Sequence, residues 1–149
     1  MSKSYTDLNQ IIVDKLEALK DEAGETIFVG VYPLPETKPE GYPCAFVIDS
    51  AGEGSTLDTA RNEREWQFEV SLMQEISNKT PEEANTIMRD LVDRVVDMFD
   101  QDPQLKVGGV QQCMNIKVVP LTFNYAIREE PFIFANFLVS CVDMVRNYP

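Results

Sequence analysis

Leu8, Ile11, Ile12, Leu16, Leu19 and Ala23 recur three and four residues apart, the spacing that gathers side chains on one face of an α-helix. Ser4 and Asp7 before that run have the S-x-x-D form of a capping box, so a first helix is predicted from Tyr5 to Ala23. Gly24 stands where a helix ends in a left-handed residue. Thr26 to Val31 then reads as a short strand. Pro33, Pro35, Pro39 and Pro43 make Tyr32 to Pro43 a stiff, extended loop, because each removes an amide donor and fixes its own φ.

Cys44 to Ser50 is a second strand, and Ala51 to Arg61, with Gly52, Gly54, Ser55 and Thr56, a second loop. In Arg64 to Glu75 the period changes to two. Trp66, Phe68, Val70 and Leu72 lie on one face, and Glu65, Gln67, Glu69 and Ser71 on the other, which predicts a strand with a core side and a water side.

Thr80-Pro81-Glu82-Glu83 marks the start of a second helix: a threonine cap, proline at the first helical position and glutamate at the third. Its stripe is Ala84, Ile87, Met88, Leu91, Val92, Val95, Met98 and Phe99, closed by Asp102-Pro103. Gly108-Gly109 precede a fourth strand, Val110 to Val119, which Pro120 bends or breaks. Leu121, Phe123, Tyr125 and Ile127 alternate beyond it. Arg128-Glu129-Glu130-Pro131 is the turn into the longest strand, Phe132 to Val145.

The order is α-β-β-β-α-β-β, predicting an α+β fold with a mainly antiparallel sheet and both helices packed on one face. The closing ribbon is apolar on both faces, so its second face calls for cover, by a neighbouring chain or by curvature of the sheet. If Ile133, Phe137 and Val139 are buried within one chain, however, the ribbon is core and does not argue for assembly.

Length adds that one domain, residues 1–149, is expected, burying roughly two-thirds of its unfolded surface. The start, Met-Ser-Lys-Ser-Tyr-Thr-Asp, has no charged-then-apolar leader, and the apolar runs are broken well short of a membrane span, so synthesis in the cytoplasm with no membrane partner is expected. Cys44, Cys113 and Cys141 are odd in number and sit in apolar contexts, as reduced buried thiols do. The net charge of −12 opposes tight binding to a phosphate backbone, although an acidic wall would let a duplex slide past without sticking.

Histidine is absent, which removes the usual general base near neutral pH and the commonest metal ligand. Asp90, Asp93, Asp97 and Asp100 share one helical face, but Arg89 and Arg94 interleave with them at i,i+4 and no glycine-centred calcium loop follows, so a solvated charged face is the better reading. Gly52-Glu53-Gly54-Ser55-Thr56 lacks the lysine and the following helix of a phosphate loop. Glu63, Glu65 and Glu69 offer a pair of carboxylates for glycoside hydrolysis, against the plainer reading of exposed strand residues. No catalytic, cofactor or metal residue is assigned. Tyr32, Leu34 and Tyr42 in the first loop, with Leu57 and Arg61 in the second, are the candidate subunit or partner contacts.

Taken in order, the opening helix, "TIFVGVY" before a proline-bearing loop, "CAFVIDS", "REWQFEVSLMQEI", "TPEEANTIMRDLVDRVVDMFD" and "LTFNYAIREEPFIFANFLVSCVDMV" resemble the tail terminator, or tail completion, proteins of long-tailed bacteriophages. The likeness covers most of the chain and lies in element order, with no signature residue to carry over. It implies a non-enzymatic virion protein without cofactors, a homo-oligomer forming a hexameric ring at the head-proximal end of the tail tube. Such a ring ends tube polymerisation and meets the tail tube protein and the neck or connector proteins, with DNA only in passage through the lumen. The alternatives are another head-tail joining protein, a connector or stopper, and a small ligand-binding or enzymatic domain.

Overall fold

The structure, a computed structural model, describes residues 4–34, 39–50, 63–75, 79–124 and 132–144. The element order is α1 (Tyr5–Glu17), β1 (Gly30–Tyr32), β2 (Cys44–Asp49), β3 (Glu63–Glu75), α2 (Pro81–Gln101), β4 (Asn115–Asn124) and β5 (Phe132–Met144). It is the expected α+β arrangement. The sheet runs β1-β2-β3-β5-β4, so the C-terminal strand is inserted between β3 and β4.

α1 starts as the sequence predicts, with Ser4 Oγ accepting from Asp7 N at 3.2 Å. It stops at Glu17, six residues before the expected Ala23. The reason is local competition for the backbone. Asp21 accepts from the amides of Ala23 and Glu25 through its side chain, and Lys20 bridges to Thr26, so the chain folds into a tight reversal instead of another helical turn. Gly24 is left-handed as anticipated, at φ 81°, but it serves this reversal and not the helix end.

The expected first strand, Thr26 to Val31, shrinks to Gly30–Tyr32, and it pairs parallel to β2, with Val31 opposite Ala45. Every other pairing in the sheet is antiparallel. β3 and β5 match along their whole length, from Glu63 opposite Met144 to Glu75 opposite Phe132.

α2 has the predicted start, with Thr80 Oγ1 accepting from Glu83 N and Pro81 in the first turn. It buries Ala84, Met88, Leu91, Val95 and Phe99, and ends where Asp102 donates its N–H to Phe99 O. The fourth strand begins at Asn115, later than the predicted Val110. Val107 and Val110 bond each other across the Gly108-Gly109 turn, and Gln104 O takes the amides of Gln112 and Cys113, so these amides are committed away from the ladder, which Met114 N is the first to join through Val142 O. β4 continues through Pro120 with a register shift between Pro120 and Thr122, an irregularity that an edge strand tolerates.

One core cluster joins both helices to a single face of the sheet. Trp66, Phe68, Val70 and Leu72 of β3 meet Ile133, Ala135, Phe137, Val139 and Cys141 of β5, with Leu8, Ile12 and Leu16 of α1 and Met88, Val95 and Phe99 of α2 above them. Ile133, Phe137 and Val139 are 0%, 2% and 0% exposed within one chain. By the criterion set above, that side of the closing ribbon is core and gives no argument for assembly. Among the described residues no helix is long and apolar enough to cross a membrane. The turn expected at Arg128 to Pro131 lies outside the described residues.

Candidate interaction surface

Both helices occupy one face, so the other is where unpartnered side chains collect. Strand alternation puts Tyr32, Cys44, Phe46 and Ile48 on it, then Glu65, Gln67, Glu69, Ser71 and Met73 of β3, Phe132, Phe134, Asn136, Leu138 and Val142 of β5, and Asn115, Lys117 and Val119 of β4. The expected water side of β3 is only partly wet. Glu65, Gln67, Glu69 and Ser71 are half-buried, because β3 is a central strand and Ile48, Leu138 and Val142 stand beside them; Ser71 Oγ also bonds Asn136 Oδ1 at 2.7 Å.

The end of the proline-bearing loop covers the β1–β2 corner of this face. Glu40 N donates to the Tyr32 hydroxyl at 3.0 Å, the Tyr32 ring lies 5.5 Å from that of Phe46, and the Tyr42 ring lies 5.0 Å from that of Phe132. Cys44 is consequently sealed at 0% exposure, and burial pushes its thiol up to about 11. Desolvation, with Cys44 and Glu75 close by, also raises the Tyr42 hydroxyl above its ordinary value. Close packing leaves no room for a side chain at Gly30, where a Cβ would collide with the Tyr32 ring.

Of the predicted contact residues, Tyr32 and Tyr42 come together on the helix-free face, each half-buried and partly committed to packing within the chain. Leu34, 66% exposed, points away into solvent. Leu57 and Arg61 lie outside the described residues, as does the glycine-bearing stretch from Gly52 to Thr56.

Among the described side chains, which do not include that of Glu63, the chemical candidates do not converge. Asp90, Asp93, Asp97 and Asp100 are exposed on the outer side of α2, where Arg94 Nε donates to Asp90 at 2.9 Å, and Glu22 lies 3.8 Å from the same guanidinium. Among the described residues no group of three or more His, Cys, Asp or Glu is placed to hold a metal. Glu65 and Glu69 sit four positions apart on one strand, a span of about 13 Å, beyond the separation at which two carboxylates flank a glycosidic bond. Glu65 is in addition held by Gln67 Nε2 at 3.3 Å.

Two polar fastenings escaped the sequence reading. Asn9 is buried on the inner side of α1, and its Nδ2 donates to Val47 O and to Asp49 Oδ1, both at 3.0 Å, with Pro33 O at 3.4 Å, so one amide ties the helix to β2 and to the end of β1. Lys15 Nζ reaches Asp102 Oδ2 at 2.6 Å and Lys106 O at 2.5 Å, joining α1 to the segment that follows α2. Burial draws the Asp102 carboxyl upward, but the Lys106 amide, the Lys15 hydrogen bond and both ammonium charges outweigh it and hold the group below the ordinary aspartate value. Asn9 leaves a faint trace in the sequence, four residues before Val13 beside the apolar stripe. Lys15 and Asp102 leave none, because the partners are far apart in the chain.

No family model matches this chain, and no curated protein is similar to it. A chain in the solved structure described as the virion of a native gene transfer agent particle is similar in fold, with a TM-score of 0.48 and 11% identity over 97% of this chain and 100% of that one. A likeness of that size speaks for neither role nor partners.

Proposed function

We propose that this chain is a non-enzymatic structural protein of a phage-like virion, and more narrowly a tail terminator that assembles as a ring at the head-proximal end of the tail tube. The observation that carries this reading is the layout of the sheet. Both helices lie on one face, the elements follow the order α-β-β-β-α-β-β on which the phage resemblance rests, and among the described residues β1 and β4 are the two edges of the sheet. A sheet covered on one face and open at two unlike edges is suited to head-to-tail association of copies, which closes into a ring when the rotation allows. The acidic balance suits a lumen through which DNA passes without adhering.

Light scattering and electron microscopy of the purified protein, alone and with polymerising tail tube protein, test the reading. A cyclic oligomer that caps one end of the tube and limits its length is the expected result. A chain that stays monomeric and is absent from assembled particles would refute it. A ring that binds the portal side of the neck and leaves tube growth unchanged would instead identify a connector or stopper.

A further inference from the structure

The exposed large apolar side chains of the described residues are not scattered. Val29 and Leu34 flank β1, at 56% and 66% exposure, while Met114 and Val119 enter and lie in β4, at 38% and 39%. Val107 and Val110, in the turn that leads toward β4, complete the set, and neither helix contributes a member. β1 and β4 are the two edges of the sheet.

Charge divides along the same line. In a chain of net charge −12, the stretch from Gln104 to Ile127, which contains β4, has no Asp or Glu and carries Lys106 and Lys117. At the β1 corner stands the exposed Glu40, whereas Asp21 and Glu22 lie toward Arg94 of α2 and do not count with this edge. Two of these charges also share a face. Lys117 pairs with Ser140 on the helix-free side of β4, and Glu40 is bonded through its amide to the hydroxyl of Tyr32 on the helix-free side of β1.

We propose that the β4 edge of one copy docks against the β1 edge of a second, with Met114 and Val119 packing near Val29 and Leu34, and Lys117 facing Glu40. Apolar contacts framed by opposite charges favour this pairing and set its orientation. Like edges are opposed: β4 against β4 places lysines together beside the irregularity at Pro120, and β1 against β1 places glutamates together. The contact is heterologous, so it extends from copy to copy, and it rests on the ring reading only for closure.

The variants Lys117→Glu and Glu40→Lys test it by sedimentation velocity of the full chain at low salt. Each alone is expected to self-associate at least about tenfold more weakly than wild type. An equimolar mixture is expected to recover association, since the reversed β4 edge of one variant matches the reversed β1 edge of the other and their remaining edges are native. Both positions are exposed, and melting curves check the fold; Lys117→Asp with Glu40→Arg supplies a second pair if either of the first melts below wild type. Variants that associate as tightly as wild type, or a mixture no tighter than its components, would overturn the edge assignment and leave the ring reading standing. A wild-type chain that never associates would overturn both.

Discussion

Lys15 of α1 donates to Asp102, the residue that closes α2, across 2.6 Å, with both side chains about three-quarters withdrawn from solvent. The same carboxylate accepts the Lys106 amide at 3.0 Å, so one acidic group shapes the loop after α2 and fastens α1 to it, while the backbone N–H of the same residue closes α2 on Phe99 O. Asp102→Ala removes both carboxylate contacts, while the backbone N–H that closes α2 stays, and is expected to lower stability by about 1–2 kcal/mol, Lys15→Met by about 0.5–1 kcal/mol, each read from urea unfolding. The pH dependence has a definite sign. The folded pKa of Asp102 lies below its unfolded value, so the contribution is complete above the ordinary aspartate value of about 4 and is lost as pH falls through the folded value. The stability gap between wild type and Asp102→Ala should therefore close on acidification; a gap that persisted unchanged to low pH would argue against the ionised pair.

Asn9 should behave as a buried polar fastening and not as a surface residue. Asn9→Ala leaves Val47 O and the Asp49 carboxylate without their donor and is expected to cost about 1–3 kcal/mol, more than replacement of the neighbouring exposed Gln10. Equal thermal shifts for the two variants would show that the amide is dispensable.

The apolar stripe of α2 sets the largest expected effect. Leu91→Ala should lose about 2–5 kcal/mol, and Val95→Asp, which drives a carboxylate into a fully buried site, should leave no cooperative unfolding transition. Asp93→Ala on the exposed side of the same helix should stay within about 0.5 kcal/mol of wild type. Circular dichroism melts separate the three.

Cys44, Cys113 and Cys141 are all buried and joined by no disulfide. A thiol-reactive chromogen at neutral pH should therefore label no site rapidly in the native protein and all three after denaturation, Cys44 being shielded in the native chain both by burial and by a thiol pushed up to about 11. Fast labelling at Cys44 in the native chain would mean that the loop over it opens.

Capping chemistry and periodicity were the legible parts of this fold. Ser4 and Thr80 start helices within a residue of where their spacing predicts, and the alternation of Trp66, Phe68, Val70 and Leu72 identifies the core side of β3. Boundaries failed where a side chain or a turn competed for backbone bonds: Asp21 stops α1, and the Val107–Val110 pair delays β4. Parallel pairing of β1 could not be read, because it depends on where the chain returns after the proline loop and not on the strand itself. Tyr32 and Tyr42 stood out by residue type as candidate contacts, whereas the packing of Tyr32 on Phe46 and of Tyr42 on Phe132 needed the fold. The opposed edges combine residues from Val29 to Val119, and only the sheet order reveals that they lie on opposite sides.

The insertion of β5 between β3 and β4 has a consequence for biosynthesis. The sheet is held together at its centre by a ladder joining residues 63–75 to residues 132–144, so a nascent chain on the ribosome can shape its helices early but cannot unite β4 with the remaining strands until residue 144 has emerged. β1 and β4 therefore become the opposite edges of one sheet only once β5 is in place between β3 and β4.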